Sequence, residues 1–321
     1  MAIFFSSPSD YLEYLQKQYA RIYPPGTPDG KFEEITNTQF KEFGLSVSAL
    51  GQFGGYDVVI EDLKNDLFPS LNASDLQRIQ SDIAIGLLPT GEANAFIARS
   101  PNGKYALVFC SGLMLLLHKY LKLVRAFVTP QEVIHCNRKN PSSLTRDDLS
   151  SYIVELLEIY RDRGVPYGPM VKLSERASVE ESFILNLAEL FILCHELGHY
   201  LNGDLADESS YSALPNDFEG RKYEENHDHE LEYRADVVGF SLYIQSLKKR
   251  GFDSSSVELI KPLLATFNLF YGIGGGSSST HPHPYARVCR IVEHHYGAEL
   301  GQEVGKALID PALLPAFFER R

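Results

Sequence analysis

Two histidines and a glutamate interrupt an apolar run in FILCHELGHYLNGD, residues 191–204. His195 and His199 are four residues apart, so on a helix they lie about 40° apart around the axis and one turn along it, with both imidazoles on one side. That relation suits a single metal ion. Glu196 follows the first histidine, about 100° further round, off the ligand pair but close enough to reach a water at the same metal. Its natural role is general base. The neighbours Phe191, Ile192, Leu193, Leu197 and Leu201 would exclude water and strengthen every electrostatic interaction there. Cys194 adjoins the first ligand and reads as a buried apolar cysteine rather than a redox group.

A catalytic zinc site takes three protein ligands and keeps one position open, so a further ligand is expected downstream on another helix. HELEYRADVVGF supplies it. Glu232 can ligate the ion, while Asp236, one turn on, accepts the outward N–H of a ligating histidine and fixes its tautomer. Ala235 keeps that face small enough for close helix packing. His227 and His229, in NHDHE, are the backup ligands for a second or alternative metal, although a surface role at a solvated helix start fits them better.

Holding these residues requires two long helices, and the sequence supplies both, over 178–201 and from HELEYRADVVGF to SLKKRG, with Gly251 in the C′ position. Upstream, Ser7-Pro8-Ser9-Asp10 caps a helix over 8–22, and Ser74 caps another in ASDLQRIQSDI. Asn102-Gly103 marks a hairpin over about 93–110. SGLMLLLHKYLKLVRAF reads as a buried helix, and 147–164 as an amphipathic one starting at Asp147. The acidic stretch 203–230 reads as a solvated connection, with a lid over the cleft as its second reading. Two more helices flank GIGGGSSSTHPHP, whose 272–279 tract is the most linker-like in the chain. The expected class is α+β, mainly helical with a small antiparallel sheet. Residues 1–80 form an accessory region, and 81–321 form the catalytic domain with a helical insertion at about 127–176.

Composition narrows the partners. Hydrophobic residues make up 44% of the 321, enough for a sizeable core. With 30 Lys plus Arg against 42 Asp plus Glu, the net charge of −12 lacks the basic footprint that nucleic acids require. The four cysteines form no CxxC pair, which argues against a disulfide framework or a thiolate zinc site. The longest apolar stretch, residues 106–117, is too short to span a bilayer. These features together lead to the expectation of a cytoplasmic protein with no integral membrane segment.

Three stretches resemble the gluzincin metallopeptidases, specifically the group containing the HtpX heat-shock protease and the CAAX prenyl proteases. HELGH is followed by EYRAD, whose Glu232 lies 33 residues after His199. GEANAFIARSPNGKYALVFCSGLMLLL is similar to the group's strand-turn-strand and following helix. STHPHPYARVCRI looks like its His-Pro segment, with Arg287 six residues beyond His281. The likeness covers roughly residues 82–126 and 180–295 and lacks the group's membrane helices. It implies a zincin-like catalytic domain with one zinc per chain on His195, His199 and Glu232, and Glu196 activating water. It further implies that His281 stabilises the oxyanion, with His283 and Tyr285 as competing donors, that Arg287 organises the site, and that Asn94, Ala95 and Phe96 lie on an edge strand receiving extended substrate by β-augmentation. The activity expected is endopeptidase cleavage of an intracellular protein or peptide. The alternatives are an ImmA-like regulatory or phage-exclusion or toxin-type peptidase with one substrate, and an inactive zinc-stabilised binding module. Glu196 argues against the last, because a structural metal site has no use for a base.

Overall fold

Helices predominate in the computed structural model of the protein, which describes residues 4–22, 56–205, 225–253, 257–274, 278 and 281–309. Its chain divides into two compact units. Met1–Leu63, Gln80–Phe96 and Ser100–Leu187 belong to the first, and Lys64–Ile79, Ile97–Arg99 and Ala188–Arg321 to the second.

In the first unit, helix α1 (Pro8–Ile22) starts at a reciprocal cap: Asp10 N donates to Ser7 Oγ at 3.1 Å and Ser7 N to Asp10 Oδ2 at 3.0 Å. Tyr11, Leu15 and Tyr19 form its buried stripe. This stripe packs against strand β1 (Ile83–Leu88), where Gln16 Nε2 donates to Leu87 O at 2.9 Å. Strands β2 (Ala95–Arg99) and β3 (Tyr105–Cys110) are joined by the expected turn, with Gly103 at φ +79° and Ser100 N donating to Lys104 O at 2.7 Å. The sheet order is β1-β3-β2, and β1 runs parallel to β3 from Ile83 opposite Tyr105 to Leu88 opposite Cys110. The sheet is therefore mixed rather than antiparallel. IAIGLL leaves helix α3 (Ala73–Asp82) with no intervening turn residue, so no boundary signal marks β1 in the sequence.

Helix α4 (Ser111–Val128) follows β3 directly and is buried along most of its length. Its Gly112 N donates to Thr90 O at 2.8 Å, and a Cβ at Gly112 would overlap the carbonyl of Gly91, so only glycine permits this crossing. The expected helical insertion is more varied than the sequence suggests. It holds helix α5 (Arg146–Arg163), but also an antiparallel pair, β4 (Val133–Cys136) with β5 (Val171–Leu173). Thr145, with Asp148, forms the capping box of α5, which starts at Arg146, one residue before the expected start at Asp147.

Two corrections concern the earlier chain. Helix α2 (Tyr56–Leu67) lies where the periodicity is too faint to read, and α3 is capped by Asn72, whose Oδ1 accepts from Asp75 N at 2.9 Å, instead of by Ser74. The side chain one residue outside the helix reaches the free N–H groups, which is the usual geometry of a cap.

Helix α6 (Glu175–Asn202) ends in the second unit, which continues with α7 (Glu225–Lys249), α8 (Lys261–Gly274), α9 (Pro284–Tyr296) and α10 (Ala298–Ile309). The end of α6 packs on α7 backbone to backbone. A Cβ on Gly198 would sit 2.6 Å from Ala235 O, and one on Gly239 would sit 2.7 Å from His195 Cα. Phe191, Phe240, Tyr243 and Phe267 fill the core beneath this crossing. Gly251, at φ +87°, terminates α7, with Phe252 N donating to Leu247 O at 3.0 Å in the Schellman pattern. Residues 206–224, most of the expected acidic connection and lid, and most of the 275–280 tract lie outside the described residues, as do 23–55 of the accessory region. No helix among the described residues is long and apolar enough to cross a membrane. The four cysteines are free.

Candidate metal centre

Both histidines of the HELGH turn project from the end of α6, toward the first half of α7. His195, His199 and Glu232 each offer one ligand atom, and these atoms lie within 4.8 Å of one another. Their side chains are only 11, 14 and 12% exposed. Glu232 Oε2 lies 3.6 Å from His195 Nε2, and Oε1 lies 3.4 Å from His199 Nε2. Both Nε2 atoms thus face the carboxylate. Both Nδ1 atoms face other carboxylates: Asp236 Oδ1 lies 3.0 Å from His195 Nδ1, and Asp204 Oδ2 lies 3.1 Å from His199 Nδ1. Because a carboxylate only accepts, each Nδ1 has a partner to donate to, and in that tautomer each Nε2 lone pair is free for a metal at the common point.

This donor set passes a test of fit. Glu232 Oε2 is buried and makes no hydrogen bond, with the ion pair to Arg287 Nη1 at 3.1 Å beside it, so it keeps lone-pair capacity for a bound cation. Burial works to lower His199, but the Asp204 and Glu232 carboxylates, which accept from its ring, outweigh that and raise it to about 10. The group could hold a metal ion.

Arg287, from α9, ties the carboxylates together. Its Nε donates to Asp236 Oδ2 and its Nη2 to Asp236 Oδ1, both at 2.8 Å, while Nη1 lies 3.1 Å from Glu232 Oε2. It also runs alongside the His195 ring, with Nη2 3.4 Å from Nε2, and its guanidinium stacks 5.0 Å above the Phe267 ring. Burial would push both Asp236 and Glu232 up, but Arg287 together with the neighbouring histidines outweighs it and holds them below the usual carboxylate range. Glu196 differs. Burial raises its carboxyl above the ordinary value, Glu232 adds to the rise, and His195, His199 and Arg287 offset it only in part. No protein family matches the chain, and no curated protein or solved structure matches it either.

The remaining expected residues are brought near to differing degrees. His281 Nε2 lies 3.7 Å from Glu232 Oε1 and its side chain is 60% exposed. His283 instead caps α9, its Nδ1 accepting from Tyr285 N at 3.2 Å, and its ring packs tilted against Tyr271 and edge-on to Tyr285. His229 Nε2 lies 2.8 Å from Ser278 O, outside the metal group, and the side chain of His227 is outside the described residues. Cys194 is fully buried, and burial pushes its thiol up. Asn94, Ala95 and Phe96 belong to the first unit, at the start of the outer strand β2, where Asn94 O accepts from Cys110 N at 2.9 Å. Sequence reasoning missed Asp204 altogether. The available signal was Gly203 just past the helix, which marks a chain reversal that returns the next side chain to the last turn.

Proposed function

We propose that the protein is a zinc-dependent endopeptidase of the gluzincin type, acting on a protein or peptide. The observation that carries this reading is the convergence of His195, His199 and Glu232 with the buried carboxyl of Glu196 one residue from the first ligand. Two imidazole nitrogens and a carboxylate oxygen are the ligand set that catalytic zinc takes, with one position left for water or substrate. When bound, zinc would supply a Lewis acid that makes a water more acidic and polarises the scissile carbonyl.

Every other step falls to side chains of the chain. Glu196 takes the proton from the attacking water and later delivers it to the leaving amine, so no covalent enzyme intermediate is needed. A carboxyl raised by burial holds that proton longer than an exposed one, which suits the return step. His281 donates a hydrogen bond to the oxygen on which negative charge develops, from an exposed position beside Glu232. Arg287 and Asp236 keep His195 and Glu232 in register. By the resemblance alone, Asn94, Ala95 and Phe96 are assigned the role of an edge that takes up extended substrate.

The test is the Glu196→Gln chain. It should retain zinc by elemental analysis and lose chelator-sensitive cleavage of casein or a peptide library, whereas His195→Ala and Glu232→Ala should lose the zinc itself. Wild-type cleavage rates in Glu196→Gln would overturn the reading.

A further inference from the structure

Helix α6 ends in a Schellman turn that returns the chain to its own last turn. Gly203, at φ +75°, lets Gly203 N donate to Tyr200 O at 3.1 Å and Asp204 N to His199 O, also at 3.1 Å. A residue with a Cβ is strained at that φ. The same Asp204 places Oδ2 3.1 Å from Nδ1 of the His199 ring, so one residue grips both the backbone and the side chain of His199. Its carboxylate is 3% exposed, and Oδ1 faces Nη2 of Arg234 at 3.5 Å. Arg234 Nη2 also donates to Asn202 O at 3.4 Å, which fastens α7 to the end of α6 two residues after Glu232.

We infer that Asp204 is a positioning residue for the metal site: with Gly203 setting its direction and Arg234 holding it, Asp204 fixes the His199 ring with Nε2 toward the metal. The arrangement repeats the one around His195, where Asp236 stands behind Nδ1 and Arg287 stands behind Asp236. The difference is origin. Asp236 arrives from a separate helix, while Asp204 comes from the same chain segment as its histidine, five residues on, and depends on a single glycine turn. The inference rests on the metal-binding half of the proposed function and not on peptidase activity.

The test measures zinc affinity by competition with a chromophoric chelator, on the full chain, beside the thermal unfolding of the metal-free protein. Asp204→Ala should bind zinc 10–100-fold more weakly. Its metal-free unfolding midpoint should stay near that of the wild type, a split that a merely structural role would not give. Asp204→Asn keeps an acceptor for Nδ1–H without the charge, should lose severalfold in affinity, and decides the matter if the alanine variant does not fold. Gly203→Ala should fall between the two. Wild-type affinity in both Asp204 variants, with Glu232→Ala losing zinc, would overturn the role of Asp204 alone; a wild-type chain that binds no zinc would overturn the metal site and this inference with it.

Discussion

Gly239→Ala sets two effects of opposite sign against each other in one substitution. In an exposed helix interior, replacing glycine by alanine gains about 1 kcal/mol from backbone entropy. At Gly239 the added Cβ would lie 2.7 Å from His195 Cα, 2.8 Å from His195 N and 3.0 Å from the carbonyl carbon of Cys194. Unstrained carbon contacts lie at about 3.5–4.0 Å, so α6 and α7 must part or slide by about 1 Å. All three atoms are backbone, and none can turn away. Overpacking of this kind costs about 1–3 kcal/mol, so the net change is a loss of up to about 2 kcal/mol, visible as a lower urea midpoint. The same shift moves Glu232 against the two histidines by several times the ~0.2 Å that metal–ligand distances tolerate, so zinc affinity should fall at least tenfold. Gly305→Ala in α10 is the control, since its Cβ would meet only the Cys289 side chain, at 3.3 Å. It should be neutral or stabilising and leave zinc binding alone. A Gly239→Ala protein as stable as Gly305→Ala, with full zinc affinity, would refute the backbone-to-backbone account of this crossing.

Two further predictions concern stability. Glu181 is 3% exposed and neither carboxylate oxygen has a hydrogen bond, and burial, only partly opposed by Lys122, pushes its carboxyl up to about 7. A raised acid binds its proton more tightly in the folded state, so its contribution is full below about pH 4.5 and is lost as pH rises toward 7. Chemical denaturation from pH 4.5 to 7.5 should show about 2–3 kcal/mol of declining stability that Glu181→Gln removes; an unchanged slope would exclude Glu181 as its source. Phe191, 2% exposed, packs its ring edge-on to Phe240 and Tyr243 and lies 6.4 Å from the His195 ring. Phe191→Ala should cost about 3–5 kcal/mol in urea unfolding, and a cost below ~1 kcal/mol would contradict its place at the centre of this core.

What the sequence made legible follows from how local each signal is. The four-residue spacing of His195 and His199 fixes their relation once a helix forms, and the Glu232 and Asp236 spacing does the same on α7, so these positions could be read without knowing how the helices pack. Gly251 announced the end of α7 by the same local logic. Strand β1 could not be read that way, because its six residues pair in parallel with a strand 22 positions away and carry no turn of their own. The pair β4 and β5 is short and separated by α5, so its register depends on tertiary contacts alone. Asp204 ends the same stretch that holds His195 and His199, yet its role depends on a reversal of the backbone, which side-chain periodicity does not encode. The distance from His281 to Glu232 and the capping role of His283 likewise needed coordinates, since Pro282 and Pro284 make the two histidines look equivalent in sequence.

The carboxylates and guanidiniums around the two histidines also define an electrical quantity. With the carboxylates of Glu196, Glu232, Asp204 and Asp236 all ionised, both rings neutral as metal ligands must be, and Arg287 and Arg234 charged, the group carries a net charge of −2. A divalent cation brings that sum to zero, whereas a monovalent one leaves a buried negative charge and a trivalent one a buried positive charge. Uncompensated charge at this depth is expensive. In that charge state the residues behind the ligands would favour a divalent ion, before the ligands themselves distinguish among divalent metals.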